Sequence, residues 1–354
     1  MSKFLGIRKS MLKSLRTPLL SIVGGIVVGA VILVVAGFDP IEGYLALVEG
    51  AFGGKNYANL VSTMVHATPI IGLSVACSVA FKAGLFNIGV EGQMVLGAVT
   101  SAIVAIYSPF PLIVTGLLAV LAAVLVSGAY ALVAAWMDIQ FEIPIFISTL
   151  LLNYPATYFA TYLANHPFRD VASGVVQTFK VPEGLRIPVI IPRSQFHAGI
   201  LLIPVLVALA VFVFRYTKAG YNIRISGFNM SFLKYGGGKT KRLEYRLMFI
   251  SGAIAGVIGV LEVFGIRHRY IPGMLTAPLY AWTAVTTAIL AQSNPLGVFF
   301  AGFLMAAIQN GGSGMERASS VPREITRVIQ AVIILIVSAV YVSRSVDSNY
   351  SEGE

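Results

Sequence analysis

The stretch from Ala83 to Gln93, AGLFNIGVEGQ, decides how this chain can fold. It places the carboxylate of Glu91 and the amides of Asn87 and Gln93 between long runs of Val, Ile, Leu and Ala. Because apolar runs of about 20 residues predict membrane-spanning helices, these polar groups are expected at membrane depth. Irregular backbone at that depth is tolerated only where protein or a water-filled cavity covers it. The stretch therefore predicts a broken helix inside a helical bundle.

Glu91 is the one ionisable side chain in this stretch. A charge at the centre of a bilayer costs about 2.5–3.5 kcal/mol on insertion scales, so such a residue normally faces a polar path or a partner. Two interpretations stay open. Glu91 either lines a translocation path, or it occupies the first turn of a half-helix that starts near Asn87. In the second case the Asn amide caps the half-helix, and the positive end of its dipole favours the carboxylate.

The composition places the whole chain in the membrane. Of its 354 residues, 57% are hydrophobic and 11% are charged, a balance typical of polytopic helical membrane proteins. The formal charge of +10 is concentrated in short stretches between apolar segments. This pattern indicates topology and contact with anionic membrane lipids, and we expect no nucleic acid partner. Cys77 is the single cysteine, which excludes an intramolecular disulfide.

Hydropathy predicts an all-α polytopic membrane protein of about ten transmembrane helices, some of them broken or half-helices. Eight or nine full spans with half-helices is the competing count. We divide the chain into a basic amphipathic segment (residues 1–17), a transmembrane domain (18–343) and a polar tail (344–354). The basic loop 215–246 and both termini are assigned to the cytoplasm, and the proline-containing loop 164–197 to the outside. Further external loops are expected around Asp39 and around Gly311.

Several motifs resemble those of permease subunits of bacterial ABC importers for nucleosides and simple sugars, the branch that works with basic-membrane-protein-type lipoproteins. Three of them are GLFNIGVEGQ (Gly84–Gln93), TLxLNY (Thr149–Tyr154) and SGAxAGxxGxxEVxG (Ser251–Gly265). A fourth lies in the basic loop and is similar to the G-x-x-x-R-x-x-G-x-N pattern of the family's coupling helix, with matches at Gly220, Arg224, Gly227 and Asn229. The chain departs from the Ala-rich sequence that follows in the family by carrying Met230, Phe232 and Leu233.

The resemblance implies an ABC importer permease in the bacterial cytoplasmic (inner) membrane. It implies three protein partners: a cytoplasmic ABC ATPase subunit, a second permease that is identical or a close homologue, and an extracytoplasmic substrate-binding lipoprotein. The residues it assigns to ATPase coupling are Gly220, Arg224, Gly227, Phe228, Asn229 and Met230. The permease itself is expected to hydrolyse no ATP. Gly238-Lys239-Thr240 ends like a phosphate-binding loop, but Leu233 stands where that motif needs glycine, and no strand precedes it.

The candidate path residues combine amides, aromatic rings and a hydroxyl with one carboxylate. They are Asn87, Glu91, Gln93, Asn153, Tyr154, Trp282 and Thr283. This set favours a neutral polar ligand with a flat ring, such as a nucleoside, with riboflavin or a simple sugar as alternatives. An ion-coupled secondary transporter that uses Glu91 as a proton or sodium site is the alternative from another class. We expect no cofactor or metal, because the histidines lie apart and the carboxylates are scattered.

Overall fold

The computed structural model describes residues 24–319, 321–322, 324–329 and 331–332. The basic segment 1–17, the tail 344–354 and parts of the predicted transmembrane domain lie outside these residues. Over the described ranges the chain is helical and contains no β-strand. Six helices are long and apolar enough to cross a membrane, and two shorter apolar helices accompany them. The class of membrane protein is therefore confirmed, whereas the count of about ten spans stays a prediction.

The helices are numbered here in chain order. They are α1 (Gly24–Val35), α2 (Pro40–Phe52), α3 (Ala58–Phe81), α4 (Val90–Tyr107), α5 (Leu112–Phe141), α6 (Ile145–Asn165), α7 (Leu202–Tyr216), α8 (Lys218–Phe228), α9 (Met230–Tyr235), α10 (Thr240–Glu262), α11 (Tyr280–Leu290) and α12 (Pro295–Ser319). Helical residues follow again at 324–329 and 331–332.

One compact unit comprises the described residues up to Thr63 together with those from Leu304 onwards. Its loops differ from the prediction at two places. Asp39 does not lie in an extended loop but caps α2, its carboxylate accepting from the backbone N–H of Ile41 at 2.8 Å. Gly311 lies within α12 and packs on α2, where an added Cβ would lie 2.4 Å from the Leu47 carbonyl oxygen. The external loops predicted at Asp39 and Gly311 were therefore wrong, because here the polar residue caps a helix and the glycine permits close helix packing.

The second unit comprises Met64–Phe303, and α4, α5 and α10 form its centre. Small residues allow these helices to approach closely. A Cβ added to Gly97 of α4 would lie 2.5 Å from the Cα of Gly256 in α10, and one added to Gly252 would lie 2.5 Å from the Ser127 carbonyl oxygen in α5. Such small-residue contacts are typical of helix packing in membranes. Polar residues of the stretch Ala83–Gln93 lie in this close-packed centre.

The stretch between α6 and α7 is a long loop, as expected, with only one short 3₁₀ turn at Glu183–Leu185 before His197. Backbone hydrogen bonds attach it to the segment that follows α10. The Thr178 N–H donates to the Tyr270 carbonyl at 3.0 Å, and the Val181 N–H donates to the His268 carbonyl at 2.7 Å. These bonds give the loop a fixed position in the second unit.

We expect this loop to lose stability on acidification, because the imidazole of His197 is buried at its end. Burial, followed by the nearby His268, lowers the pKa of His197 from 6.5 to about 4. The unfolded chain therefore binds a proton at higher pH than the folded chain does. The free energy of unfolding is therefore unaffected by His197 above pH about 6.5. It decreases as the pH falls from there towards 4, by at most about 3 kcal/mol.

Thermal unfolding of the purified protein between pH 7.5 and 4 checks this expectation. His197→Phe keeps the ring shape but removes the titration, so its Tm should fall less between pH 6.5 and 4 than that of the wild type. Parallel pH profiles for the two proteins would contradict the assignment of the effect to His197.

Candidate functional site

The predicted break in the helix is confirmed. Helix α3 ends at Phe81 and α4 begins at Val90, and the chain between them, Lys82–Gly89, is not helical. We call Lys82–Gly89 the interruption. Gly84 has a φ of +85°, a conformation that glycine adopts without steric cost and that turns the chain out of α3. The interruption leaves backbone groups without helical partners, and these must be satisfied by other parts of the bundle.

Asn87 is the centre of the hydrogen bonds that satisfy the interruption, and its side chain is fully buried. Its amide oxygen accepts from the Gly89 N–H at 2.9 Å and from the Gln93 amide at 3.1 Å. Its amide nitrogen donates to the Gln93 side-chain oxygen at 3.0 Å and to the Ser251 hydroxyl at 2.9 Å. Asn87 and Gln93 thus form a reciprocal pair, and Ser251 of α10 fixes that pair to the bundle.

Helix α6 supplies the second set of partners. The Asn153 side chain accepts from the Gly92 N–H at 2.8 Å and donates to the Ile88 carbonyl at 3.1 Å. The Thr149 hydroxyl accepts from the Ile88 N–H at 3.1 Å. Asn153 therefore forms hydrogen bonds with backbone groups on both sides of the N-terminus of α4. In this conformation it links α6 to α4.

The other candidate path residues are arranged differently. Glu91 lies in the first turn of α4, partly buried, and its carboxylate has no hydrogen-bond or ion-pair partner among the described residues. Tyr154 and Trp282 are exposed, at 61% and 45% of their surface, and Thr283 is buried in α11. The structure thus brings three amide side chains together around the interruption and leaves one carboxylate and two aromatic rings accessible.

The segment Lys218–Tyr235, here called the coupling segment, contains α8 and α9. It packs directly on the interruption, because a Cβ added to Gly227 would lie 2.2 Å from the Lys82 carbonyl oxygen. Arg224 donates to the Phe214 carbonyl and so ties α8 to the end of α7. The sequence motif marked Gly227 but gave no indication of its contact with Lys82.

The coupling segment also carries exposed aromatic rings. Phe228 and Tyr235 are each 92% exposed, and Phe232 is 64% exposed. The Asn229 side chain caps α9 by accepting from the Phe232 N–H at 3.0 Å. The bulky residues after Asn229 that depart from the family pattern therefore build a second short helix, in which Leu233 is buried. Exposed aromatic clusters of this kind are typical of protein interaction sites.

Comparison with known proteins agrees with these features. The family model described as branched-chain amino acid transport system / permease component matches residues 59–338. The guanosine ABC transporter permease protein NupP of Bacillus subtilis is 30% identical over 341 residues, 95% of this chain and 96% of its own. The glucose ABC transporter permease protein TsgB13 of Haloferax volcanii is 30% identical over 336 residues, 90% of this chain and 86% of its own.

A further relative is the nucleoside ABC transporter permease protein NupB of Lactococcus lactis. It is 26% identical over 334 residues, 92% of this chain and 91% of its own. No solved structure matches the chain. The family model covers well over half of the sequence, including the interruption and the coupling segment. The chain therefore belongs to the family of transport-system permease components that this model describes.

Proposed function

We propose that this chain is the membrane-spanning permease subunit of an ATP-driven ABC importer and forms the translocation path for a nucleoside-like substrate. The observation that supports this most is the similarity of the chain, over almost its whole length, to a guanosine permease. A nucleoside permease is also similar over almost the whole chain, at 26% identity. A glucose permease of equal identity makes a sugar the second candidate substrate. Riboflavin, placed before simple sugars on the sequence alone, becomes the third candidate, with a flat, polar ring system that the exposed aromatic residues would accommodate.

In this proposal the path residues have two roles. Asn87, Gln93 and Asn153 hold the interruption in shape, because their amide groups are already used by backbone and side-chain partners. Glu91, Tyr154 and Trp282, which keep accessible groups, contact the substrate or the water around it. Thr283 stays a path candidate beside Trp282 at the start of α11. Binding sites near broken helices at the midplane are common in transporters.

The energy would come from a separate ABC ATPase on the cytoplasmic side. The ATPase would bind the exposed rings of the coupling segment, and its movement would reach the interruption through the contact between Gly227 and Lys82. A second permease, identical or closely related, would complete the path, and an extracytoplasmic lipoprotein would deliver the substrate to the long loop before α7. This arrangement places the chain in the bacterial cytoplasmic membrane with both termini inside.

Uptake by the reconstituted assembly tests the proposal. The chain, its partner permease, the ATPase and the lipoprotein are placed in liposomes, and uptake of labelled guanosine is measured with and without ATP. We expect uptake that requires ATP, persists without an ion gradient and is reduced more by unlabelled nucleosides than by riboflavin or glucose. Uptake driven by a proton or sodium gradient without the ATPase would instead support the secondary transporter.

Replacing Glu91 with glutamine is expected to reduce this uptake several-fold while stability changes little. The variant keeps the side-chain shape and loses only the charge, whose interaction with the start of α4 is worth no more than about 1 kcal/mol at an accessible position. Uptake and Tm are measured on the same preparation. Unchanged uptake with an altered Tm would assign Glu91 to helix stabilisation alone.

A further inference from the structure

The exposed faces of the helices in the second unit differ in chemistry. Between Ile113 and Val133 the exposed large side chains of α5 are all aliphatic, as expected for a helix that meets lipid tails, whereas α7 exposes Phe212 and Tyr216 besides its aliphatic residues. Those on α5 include Ile113, Leu117, Leu121 and Leu125, and those on α7 include Val205 and Leu209. Less than a third of the most apolar stretch is buried in each segment, with 28% for α5 and 22% for Ala198–Tyr216, which contains α7. The middle of α5 therefore serves as the reference for an exposed aliphatic surface in this protein.

Helix α6 presents a different surface. Tyr154, Tyr158 and Tyr162 are exposed at 61%, 71% and 56%, and they follow one another at intervals of four residues. Side chains with this spacing share one face of a helix, and the stripe they form extends over about 12 Å. Tyr154 lies near the middle of a helix of 21 residues, and Tyr162 lies near its end at the long loop. We call these three residues the tyrosine stripe.

The hydroxyl groups of the tyrosine stripe have no hydrogen-bond partner in the part of the chain that the structure describes. Inward-facing Tyr130 of α5 contrasts with them, since its hydroxyl donates to the Leu152 carbonyl at 2.7 Å. A hydroxyl left in hydrocarbon without a partner is unfavourable. Helix α6 is also long enough to cross a membrane but is absent from the six helices apolar enough to do so by composition. The stripe therefore faces water, a polar ligand or another protein surface.

Two observations favour a ligand over tight packing against a second copy of this chain. The small residues of α6, which would let another helix approach closely, lie on its buried face at Ala156, Ala160 and Ala164. The exposed face instead carries large side chains, the three tyrosines together with Leu151 and Phe159. The inner end of the stripe also adjoins the interruption, because Asn153, the neighbour of Tyr154, is bonded to Gly92 and Ile88.

From this geometry we propose that the tyrosine stripe is a series of stacking positions that carries the flat ring of the substrate between the long-loop end of α6 and the interruption. The proposal rests on the proposed function for its substrate and adds two binding residues, Tyr158 and Tyr162, that the sequence motifs do not mark. Aromatic side chains stack on every nucleobase, whatever its hydrogen-bonding pattern. The hydroxyl groups meanwhile keep the face wetted, so a nucleoside can move from one ring to the next.

Cysteine accessibility in the complete assembly tests where the stripe faces. Native Cys77 is buried and is replaced by serine as background. Single cysteines replace the three tyrosines, and matched controls at the same spacing replace Leu117, Leu121 and Leu125 of α5. A membrane-impermeant thiosulfonate should label the stripe about tenfold faster than the controls, because only a hydrated thiol ionises and reacts. Saturating guanosine should slow labelling of the stripe and leave the controls unchanged.

Transport kinetics test the stacking role itself. Tyr158→Leu should raise the KM for guanosine about tenfold, which is within the range measured for loss of one stacked ring. Tyr158→Phe should recover most of that loss, and Leu121→Ala on the lipid face should leave the KM unchanged. A KM for guanosine that is the same in Tyr158→Leu and in Tyr158→Phe would overturn the stacking role.

Two other outcomes would also overturn the inference while leaving the proposed function intact. Labelling of the stripe as slow as that of the α5 controls would place it in lipid. Disulfide formation between two copies carrying Tyr158→Cys, with no protection by guanosine, would make it a subunit interface. Failure of the assembly to transport any nucleoside would instead contradict the proposed function. The labelling rates would still show whether the tyrosine stripe is accessible to water.

Discussion

Replacing Gly227 with leucine is expected to reduce ATP-driven uptake about tenfold or more, which is within the range of coupling free energies between distant sites. The reason is steric. A Cβ at this position would lie 2.2 Å from the Lys82 carbonyl oxygen, so α8 must move away from the interruption. The exposed ring of Phe228 stays available to a partner. We therefore expect the ATPase to copurify with the variant and to hydrolyse ATP without driving uptake.

Gly236→Ala, immediately after the coupling segment, serves as a control for adding a side chain to a glycine in this part of the chain. A Cβ there would find its nearest neighbours at 3.6 Å, an ordinary contact, so uptake should stay unchanged. Phe228→Ala distinguishes binding of the ATPase from transfer of its movement to the interruption. This change removes an exposed ring and leaves the contact between Gly227 and Lys82 in place. That variant should lose the ATPase during purification. Normal uptake by the Gly227 variant would show that the contact with Lys82 transmits nothing.

Replacing Asn87 with alanine is expected to cause the largest loss of stability of any single change at the site, on the order of 3 kcal/mol. The substitution removes hydrogen bonds to Gly89, Gln93 and Ser251 and leaves several of these groups buried and unsatisfied. Leaving buried polar groups without partners costs more than the bonds themselves contribute. Thermal unfolding should show a Tm lowered by roughly 5 °C.

Ser101→Ala is the control for this change. Ser101 is also buried in α4, but its hydroxyl donates only to the Ala98 carbonyl of the same helix, so its loss should cost much less. Ser251→Ala combined with Asn87→Ala should be less destabilising than the sum of the two single changes, because both act on one network. Additive effects, or an Asn87 variant as stable as the Ser101 variant, would show that the network does not hold the interruption.

The break in the helix was predictable, because three polar side chains within an apolar run cannot all be accommodated by an unbroken, lipid-exposed helix. Their partners were not predictable. Ser251 is 164 residues away from Asn87 along the chain, and Asn153 is 61 residues away from Gly92. Nothing in the spacing of these residues indicates that α6 and α10 meet the same turn. The sequence therefore identified the amide side chains as important. It did not decide whether they line the translocation path or hold the helices together.

Glycines were the least informative residues in the sequence. Gly84 turns the chain at a positive φ, whereas Gly311 lies inside a helix and contacts another helix. The same residue type therefore marked a true turn at the first position and a false one at the second. Gly227 is a packing glycine that lies against the Lys82 carbonyl, and this contact is the basis of the coupling role proposed for it. Tyr158 and Tyr162 were missed for a related reason, since exposure on α6 depends on which face α4 covers.

Hydrogen exchange of the complete assembly tests the central claim, that the coupling segment acts on the interruption, most directly. Amide exchange is followed by mass spectrometry with and without a non-hydrolysable ATP analogue, in the wild type and in the Gly227→Leu variant. We predict that the analogue changes exchange in residues 218–228 and 82–93 together in the wild type, and only in 218–228 in the variant. A wild-type response confined to residues 218–228, with exchange in 82–93 the same in both states, would contradict the account.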